Sequence, residues 1–294
     1  MQQSAPPVFR RAPAILKGLH EIAGDYDAAF CDVWGVLHDG RRAHEPAVEA
    51  LRRFRNTRGP VILLSNAPRP VADVEKQLAR LHVPSDCYDA VLTSGVLAHD
   101  DLAQRSREGA VKLLHIGPER DRGVFAGLPV ACVAADEAEL VLCTGLFDDD
   151  TESPEDYRQM LAGLCRRKLP LLCVNPDIVV QRGGQLVWCA GALARLYEQL
   201  SGTSIYFGKP HRPIYDAACA LAAKLAGRKN LRVVVLGDGL ETDIRGANAA
   251  SLDAVFIADG IHGDDIPDLT TASLEKLCSD AGVVAIGAIR ALVW

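Results

Sequence analysis

Several things are scarce in this sequence, and each scarcity closes a class. Aromatic residues supply only 5% of the 294 positions, while alanine, leucine and valine dominate, a balance that suits helices packed on buried strands. No uninterrupted apolar run reaches the roughly 18 residues that span a bilayer, so a membrane partner is excluded. No basic cluster offsets the net charge of −6, so a nucleic acid has no electrostatic footprint to meet. The first seven residues, Met1 to Pro7, lack the charged-then-apolar layout of a secretory signal. The nine cysteines are odd in number, scattered and never in C-x-x-C spacing, which argues against both a disulfide framework and a zinc site. Low-complexity tracts and fixed-period repeats are absent as well. What remains is a reduced, cytoplasmic globular protein, 49% apolar and 24% charged, whose length suits two domains of about 100–200 residues each.

Apolar runs alternate with helix-period segments along the whole chain. The predicted strands are 28–33, 61–65, 90–93, 111–116, 139–144, 170–174, 232–237 and 254–258. The predicted helices are 45–58, 71–81, 154–167, 190–200, 214–225 and 242–250. Short continuous apolar strands separated by helices predict an α/β fold with parallel sheets covered on both faces. The acidic run Asp148-Asp149-Asp150 reads as a solvated loop in preference to a metal site, and Ser153-Pro154 after it reads as the N-cap and first residue of a helix.

In open α/β sheets ligands bind beyond the carboxyl ends of the strands, and four predicted strand ends carry chemistry. Phe30-Cys31-Asp32-Val33-Trp34-Gly35 runs from an apolar strand into a carboxylate and a glycine turn. Leu63-Leu64-Ser65-Asn66 ends in a hydroxyl and an amide. Phe207-Gly208-Lys209-Pro210 puts a lysine in a tight loop before a helix. Leu236-Gly237-Asp238-Gly239-Leu240-Glu241-Thr242-Asp243 places two carboxylates five residues apart across a strand-to-helix turn. Singly, each is an ordinary turn, cap or surface residue. Together they supply carboxylates for Mg²⁺, which takes one or two of them plus water and phosphate oxygens. They also supply a nucleophile, and neutral and cationic donors for a phosphoryl group.

In that order the four motifs resemble those of the haloacid dehalogenase (HAD) superfamily of aspartate-nucleophile hydrolases, from about residue 28 to 258. Thr93-Ser94-Gly95 before a helix, Asn175-Pro176-Asp177, Cys189-Ala190-Gly191-Ala192-Leu193 and Gly208-Lys209-Pro210 resemble its class IIA branch, which is NagD-like and includes nucleotide, sugar-phosphate and pyridoxal-phosphate phosphatases. The resemblance implies a Rossmann-like parallel-sheet core with an inserted, smaller α/β cap: residues 1–107 and 203–294 as core, 108–202 as cap. It implies Asp32 as the nucleophile that becomes an aspartyl phosphate, and Ser65, Asn66 and Lys209 as the phosphoryl-binding residues. Mg²⁺ would be held by Asp32, the Trp34 carbonyl, Asp238 and Asp243. Asn175, Asp177 and Gly191 would meet the substrate from the cap, Asn175-Pro176-Asp177 being otherwise an ordinary turn. The branch includes dimers formed through the cap, which leaves a homodimer open to this chain.

One position departs from the pattern. Phosphatases of the family carry Asp where this chain has Trp34, and that carboxylate protonates the leaving oxygen and activates water. An indole offers an N–H donor and no proton equilibrium near neutrality, and lost general acid–base help costs about 10²–10⁴-fold. His38, Asp39 and Asp177 are candidate replacements. The expectation is a Mg²⁺-dependent phosphatase of a small phosphorylated metabolite, slowed by Trp34; the alternative is an impaired module that binds or senses a phosphorylated ligand. Trp188 and Trp294 read equally as packing residues or ligand contacts, His211 as the residue before its helix, and the loop His262-Gly263-Asp264-Asp265 as structural.

Overall fold

The computed structural model describes residues 12–182, 185–261 and 266–294; the expectation for His262 to Asp265 lies outside them. Among the described residues the strands run, in chain order, β1 (Ala14–Ile15), β2 (Ala28–Asp32), β3 (Val61–Ser65), β4 (Ala90–Thr93), β5 (Val111–Ile116), β6 (Val130–Cys132), β7 (Leu140–Cys143), β8 (Pro170–Cys173), β9 (Val179–Arg182), β10 (Gln185–Trp188), β11 (Thr203–Tyr206), β12 (Val233–Gly237), β13 (Asp253–Ile257) and β14 (Gly287–Ile289). The chain divides into two compact units. One holds residues up to 65, 76–92 and 210–294; the other holds 66–75 and 93–209. The second unit's edges therefore fall at different residues from the 108 and 202 read from the sequence.

The first unit is built on a seven-stranded sheet in the order β1-β14-β13-β12-β2-β3-β4. Its central pairs, β12 with β2 and β2 with β3, are parallel. All five residues of β2 and of β12 are buried, as expected for strands covered on both faces. The predicted apolar runs are strands, and the parallel α/β class is as expected. Helix α1 (His20–Ala23) precedes β2, and α2 (Glu45–Thr57) crosses from β2 to β3, burying Ala47, Val48, Ala50, Leu51 and Phe54 on one stripe.

The second unit carries a five-stranded sheet in the order β11-β8-β7-β5-β6, parallel throughout, and an antiparallel β9–β10 hairpin. Helix α3 (Val71–Arg80) joins β3 to β4. Helix α4 (Ser94–Arg105) covers one face of the smaller sheet through Ala98 and Leu102. On the other face lie α5 (Arg158–Arg166), which brings Leu161 and Leu164, and α6 (Ala190–Gln199), which brings Leu193 and Tyr197. The predicted Ser153 start is a capping box closed with Asp156, which satisfies backbone donors that a helix start otherwise leaves bare. After β11 come α7 (Arg212–Ala226), α8 (Arg245–Ala249) and α9 (Thr271–Ala281). Among the described residues no helix is long and apolar enough to cross a membrane.

Candidate active site

The register of the large sheet brings the carboxylates together. In the β12–β2 ladder Leu236 stands opposite Cys31, so Asp238, two residues further along, emerges at the same carboxyl edge as Asp32. The chain then turns through a π-type segment, Leu240–Ile244, a widening often found at functional sites, and returns Asp243. One oxygen each from Asp32, Asp238 and Asp243 lies within 4.8 Å of the others, and the three residues are only 9, 4 and 1% exposed. Backbone donors fix the carboxylates: Val33 N–H to Asp32 Oδ1 at 2.7 Å, Ile261 N–H to Asp238 Oδ2 at 2.7 Å and Gly239 N–H to Asp243 Oδ2 at 3.2 Å. Gly35 sits at φ +84°, where a Cβ would collide with the Asp238 carboxylate, so the turn after β2 needs both the left-handed backbone and the missing side chain.

Three buried carboxylates in one place are costly without a cation, and hard oxygen donors suit Mg²⁺ better than soft-ligand metals. The residues present fit a divalent ion. The exposed run Asp148 to Asp150 also brings three carboxylates close, but its side chains are used locally. Asp148 accepts from Asp150 N–H and Thr151 Oγ1, and Asp149 pairs with Arg120. That is the expected loop.

Trp34 lies in the turn two residues past Asp32. Its ring meets His38 edge-on with centroids 5.1 Å apart and covers Gly40, where a Cβ would touch it. His38 is 1% exposed; burial lowers its pKa to about 4, and its Nδ1 accepts the Gly40 N–H at 3.1 Å. A neutral imidazole in that position shapes the loop and has no proton to donate from an imidazolium at neutral pH. Asp39 accepts two backbone N–H groups, from Arg41 and Arg42, which hold its carboxyl below the usual range despite partial desolvation. Burial thus favours the neutral imidazole of His38, and the backbone donors favour the ionised carboxylate of Asp39. Ser65 ends β3, whose Leu64 stands opposite Asp32.

The second unit gathers a different set. Asn66 Oδ1 accepts the Lys209 N–H at 2.7 Å, while Asn66 Nδ2 donates to the Lys209 carbonyl at 3.0 Å and to Asp177 Oδ1 at 2.9 Å. Asn66 and Lys209 are both buried. Gly208, at φ +107°, leaves room for the Asn66 amide and the Ser94 side chain, both of which a Cβ would strike. Ser94 hydroxyl donates to the Ala67 carbonyl at 3.0 Å, and Thr93 hydroxyl to the Arg69 carbonyl at 2.8 Å; these holds on the loop after β3 had no sequence signal beyond the Thr93-Ser94-Gly95 motif. Asn175 Oδ1 accepts the Asp177 N–H at 3.2 Å, so its side chain closes the turn. Gly191 donates to the Asn175 and Asp177 carbonyls at 2.8 and 3.1 Å, pinning the loop to the start of α6. The sequence-derived candidates thus fall into two groups: Asp32, Trp34, Ser65, Asp238 and Asp243 in the first unit, and Asn66, Asn175, Asp177, Gly191 and Lys209 in the second.

Comparison with known proteins places this arrangement. A model described as haloacid dehalogenase-like hydrolase matches residues 29–129, and a second HAD-hydrolase-like model matches 206–277. A solved haloacid dehalogenase-like hydrolase from Brucella suis is 43% identical, with a TM-score of 0.84, over 95% of this chain and 100% of that one. This chain belongs to the haloacid dehalogenase-like hydrolases. Its curated relatives put this HAD hydrolase in class IIA. The ribonucleotide monophosphatase NagD of Escherichia coli is 25% identical over 82% of this chain and 91% of its own length. The D-glycerol 3-phosphate phosphatase of Mycobacterium tuberculosis is 26% identical over 83% of this chain, which spans 66% of that relative. In this HAD hydrolase the carboxylate cluster follows β2 and β12, the two adjacent central strands of the larger sheet.

Proposed function

We propose that this protein is a Mg²⁺-dependent phosphatase of small phosphorylated metabolites, with Asp32 as the nucleophile. The observation that carries the reading is the buried convergence of Asp32, Asp238 and Asp243 at one sheet edge. The phosphatase activities named for the two curated relatives support it. A divalent ion held by Asp238, Asp243, Asp32 and the Trp34 carbonyl would offset their charge and that of the phosphate. Asp32 would then attack phosphorus as the ester P–O bond breaks, and the leaving oxygen would take its proton from water. Water attacks the aspartyl phosphate next, releasing inorganic phosphate and restoring the Asp32 carboxylate. Ser65, Asn66 and Lys209 are assigned to the phosphoryl oxygens, the lysine as a point charge, and Asp177, Asn175 and Gly191 to the substrate side. Trp34 supplies no acid or base, so good leaving groups are turned over faster than poor ones. Nine free cysteines fit a reducing compartment, in keeping with a cytoplasmic enzyme.

The test is a screen of phosphorylated metabolites, with p-nitrophenyl phosphate included, for phosphate release with and without a chelator. Release that needs Mg²⁺ and disappears in Asp32→Asn, by at least about 10⁴-fold as for other nucleophile deletions, is the expected result. Equal inertness of wild type and Asp32→Asn, with a phosphate ester still raising the melting temperature of both, would establish the binding module instead.

A further inference from the structure

Ligands of open parallel sheets sit at the carboxyl edge, yet the larger sheet also carries a cavity at its amino edge, wholly within the first unit. Its volume is about 550 Å³, which suits a small organic ligand. Asp27 leads from it into β2 and Pro60 into β3. Arg55 and Arg58 enter from the end of α2, and Arg228 from the turn after α7. The sequence holds no basic cluster; folding makes one from two segments far apart in the chain. Asp32 stands at the other end of β2, about 16 Å from Asp27 at about 3.3 Å per residue. The proposed reaction makes no use of this cavity.

Hydrogen bonding decides the sign of the ligand. Both carboxylates of the cavity are already engaged at each oxygen. Asp89 Oδ1 accepts Arg55 Nε at 2.8 Å and its Oδ2 the Val61 N–H at 2.9 Å. Asp27 Oδ1 pairs with Arg228 Nη2 at 2.8 Å, and its Oδ2 accepts the Arg232 N–H at 2.9 Å. The guanidinium groups keep donors over. Arg58 gives Nε to the Tyr26 carbonyl at 3.3 Å and Nη2 to the Gly24 carbonyl at 2.6 Å, and among the described residues it pairs with no carboxylate. Those two carbonyls fix its plane before any ligand arrives, which lowers the cost of binding. Among the described residues Arg58 Nη1, Arg55 Nη2, and Arg228 Nε and Nη1 make no hydrogen bond. Donors in excess, with every carboxylate oxygen taken, call for an anion that only accepts.

The placing of the arginines narrows the anion. A carboxylate offers two coplanar oxygens and fills one guanidinium fork. A phosphate monoester offers three oxygens in a tetrahedral array, and so accepts from forks that arrive on different elements. The cavity is much larger than a phosphate, and one wall is apolar: Leu225, 46% exposed, lines it beside Ala226. We propose that this cavity binds a singly phosphorylated organic molecule, its phosphate on Arg58, Arg55 and Arg228 and its body against Leu225. No bond is made or broken there, and the site does not depend on the phosphatase reading.

Calorimetric titration of the full chain in excess chelator tests the site with no ester turned over. Phenyl phosphate should bind at least about tenfold more tightly than benzoate, its carboxylate counterpart. It should bind about fivefold more tightly than inorganic phosphate, which has no apolar body to bury. Arg58→Ala and Arg228→Ala should each lower its affinity at least about tenfold, the range of a charge-assisted hydrogen bond. Arg228→Ala is the safer variant for folding, because Arg232 still holds Asp27. On adding phenyl phosphate, hydrogen exchange should slow at residues 55–61 and 225–229 and stay unchanged at 32–35 and 238–243. No binding, protection confined to 32–35 and 238–243, or unchanged affinity in both variants would overturn the proposal. Benzoate binding as tightly would overturn the choice of phosphate, and inorganic phosphate binding as tightly would overturn the organic body. If the site holds while wild type hydrolyses no ester in Mg²⁺, the phosphatase reading falls and this one stands.

Discussion

The carboxyl edges of the two sheets solve the problem of burying polar groups in opposite ways. In the larger sheet three carboxylates share one place, each steadied by a backbone N–H. A divalent cation held among them would offset their common charge. In the second unit a single amide, that of Asn66 just past β3, is both donor and acceptor to the backbone of one residue, Lys209. The first edge stores electrostatic energy that a bound ion and a phosphoryl group can draw on. The second fixes geometry through directed hydrogen bonds and suits recognition.

The largest expected effect tests whether the first edge lacks a proton donor. Trp34→Asp puts a carboxylate where the sequence resemblance expects one, and phosphate release from alkyl phosphates should rise by about 10²-fold or more. Release from p-nitrophenyl phosphate, whose leaving group needs no proton, should rise far less. Equal gains on both esters would show that the tryptophan limits something other than proton transfer, such as access to the carboxylates.

A smaller effect contrasts the carboxylate cluster with a carboxylate that has no backbone donor. Asp121, in the second unit, is 3% exposed and faces Arg69 at 3.2 Å, Nε to Oδ1, without hydrogen-bond geometry. Burial lifts its pKa to about 6 although Arg69 pulls it down. The folded value lies above the unfolded one, so the folded chain holds this proton to higher pH. Its contribution is therefore most favourable below about pH 4 and is lost as pH rises through about 6, by up to about 3 kcal/mol. Asp121→Asn should flatten that part of the profile of melting temperature between pH 4.5 and 7.5. A variant that keeps the full slope would move the titration to another group.

Much of this was legible because β2, β3, β7, β8 and β12 are dominated by Val, Leu, Ile, Ala and Cys, the pattern of strands buried on both faces of a parallel sheet. Asp32 and Asp238 were legible for the same reason: each follows directly on such a run, and adjacent parallel strands bring their ends together. Other strands carried no such mark. Thr203–Tyr206 and Gly287–Ile289 become strands through parallel pairing with β8 and β13, a long-range event that local pattern does not encode. The β9–β10 hairpin was missed because its strands are only four residues long and neither alternates apolar with polar residues. Asn66 meeting Asp177, 111 positions away, has no local signal either. The Asn175-Pro176-Asp177 motif could be read as turn or substrate loop; Asn175 Oδ1 closes the turn by accepting the Asp177 N–H.

The amide of Asn66 gives the smallest and most discriminating test of the comparison. Asn66→Ala removes the partner of the buried Lys209 N–H and should destabilise the protein by about 1–3 kcal/mol, the cost of an unsatisfied buried donor. Asn66→Asp keeps the shape and the acceptor for that N–H, yet above the carboxyl's own titration it turns an acceptor-only group toward Asp177 Oδ1 and the Lys209 carbonyl. If geometry and donor direction hold this edge, Asn66→Asp should be the more damaging change at pH 8 and should recover ground toward pH 4, where a protonated carboxyl can donate again. Hydrogen exchange at the Lys209 amide reads the same point locally, with protection lost in Asn66→Ala and retained in Asn66→Asp at low pH. Should Asn66→Asp instead be tolerated at pH 8, this edge would be accepting negative charge as the large sheet does, and the distinction between an electrostatic edge and a recognition edge would fail at its central residue.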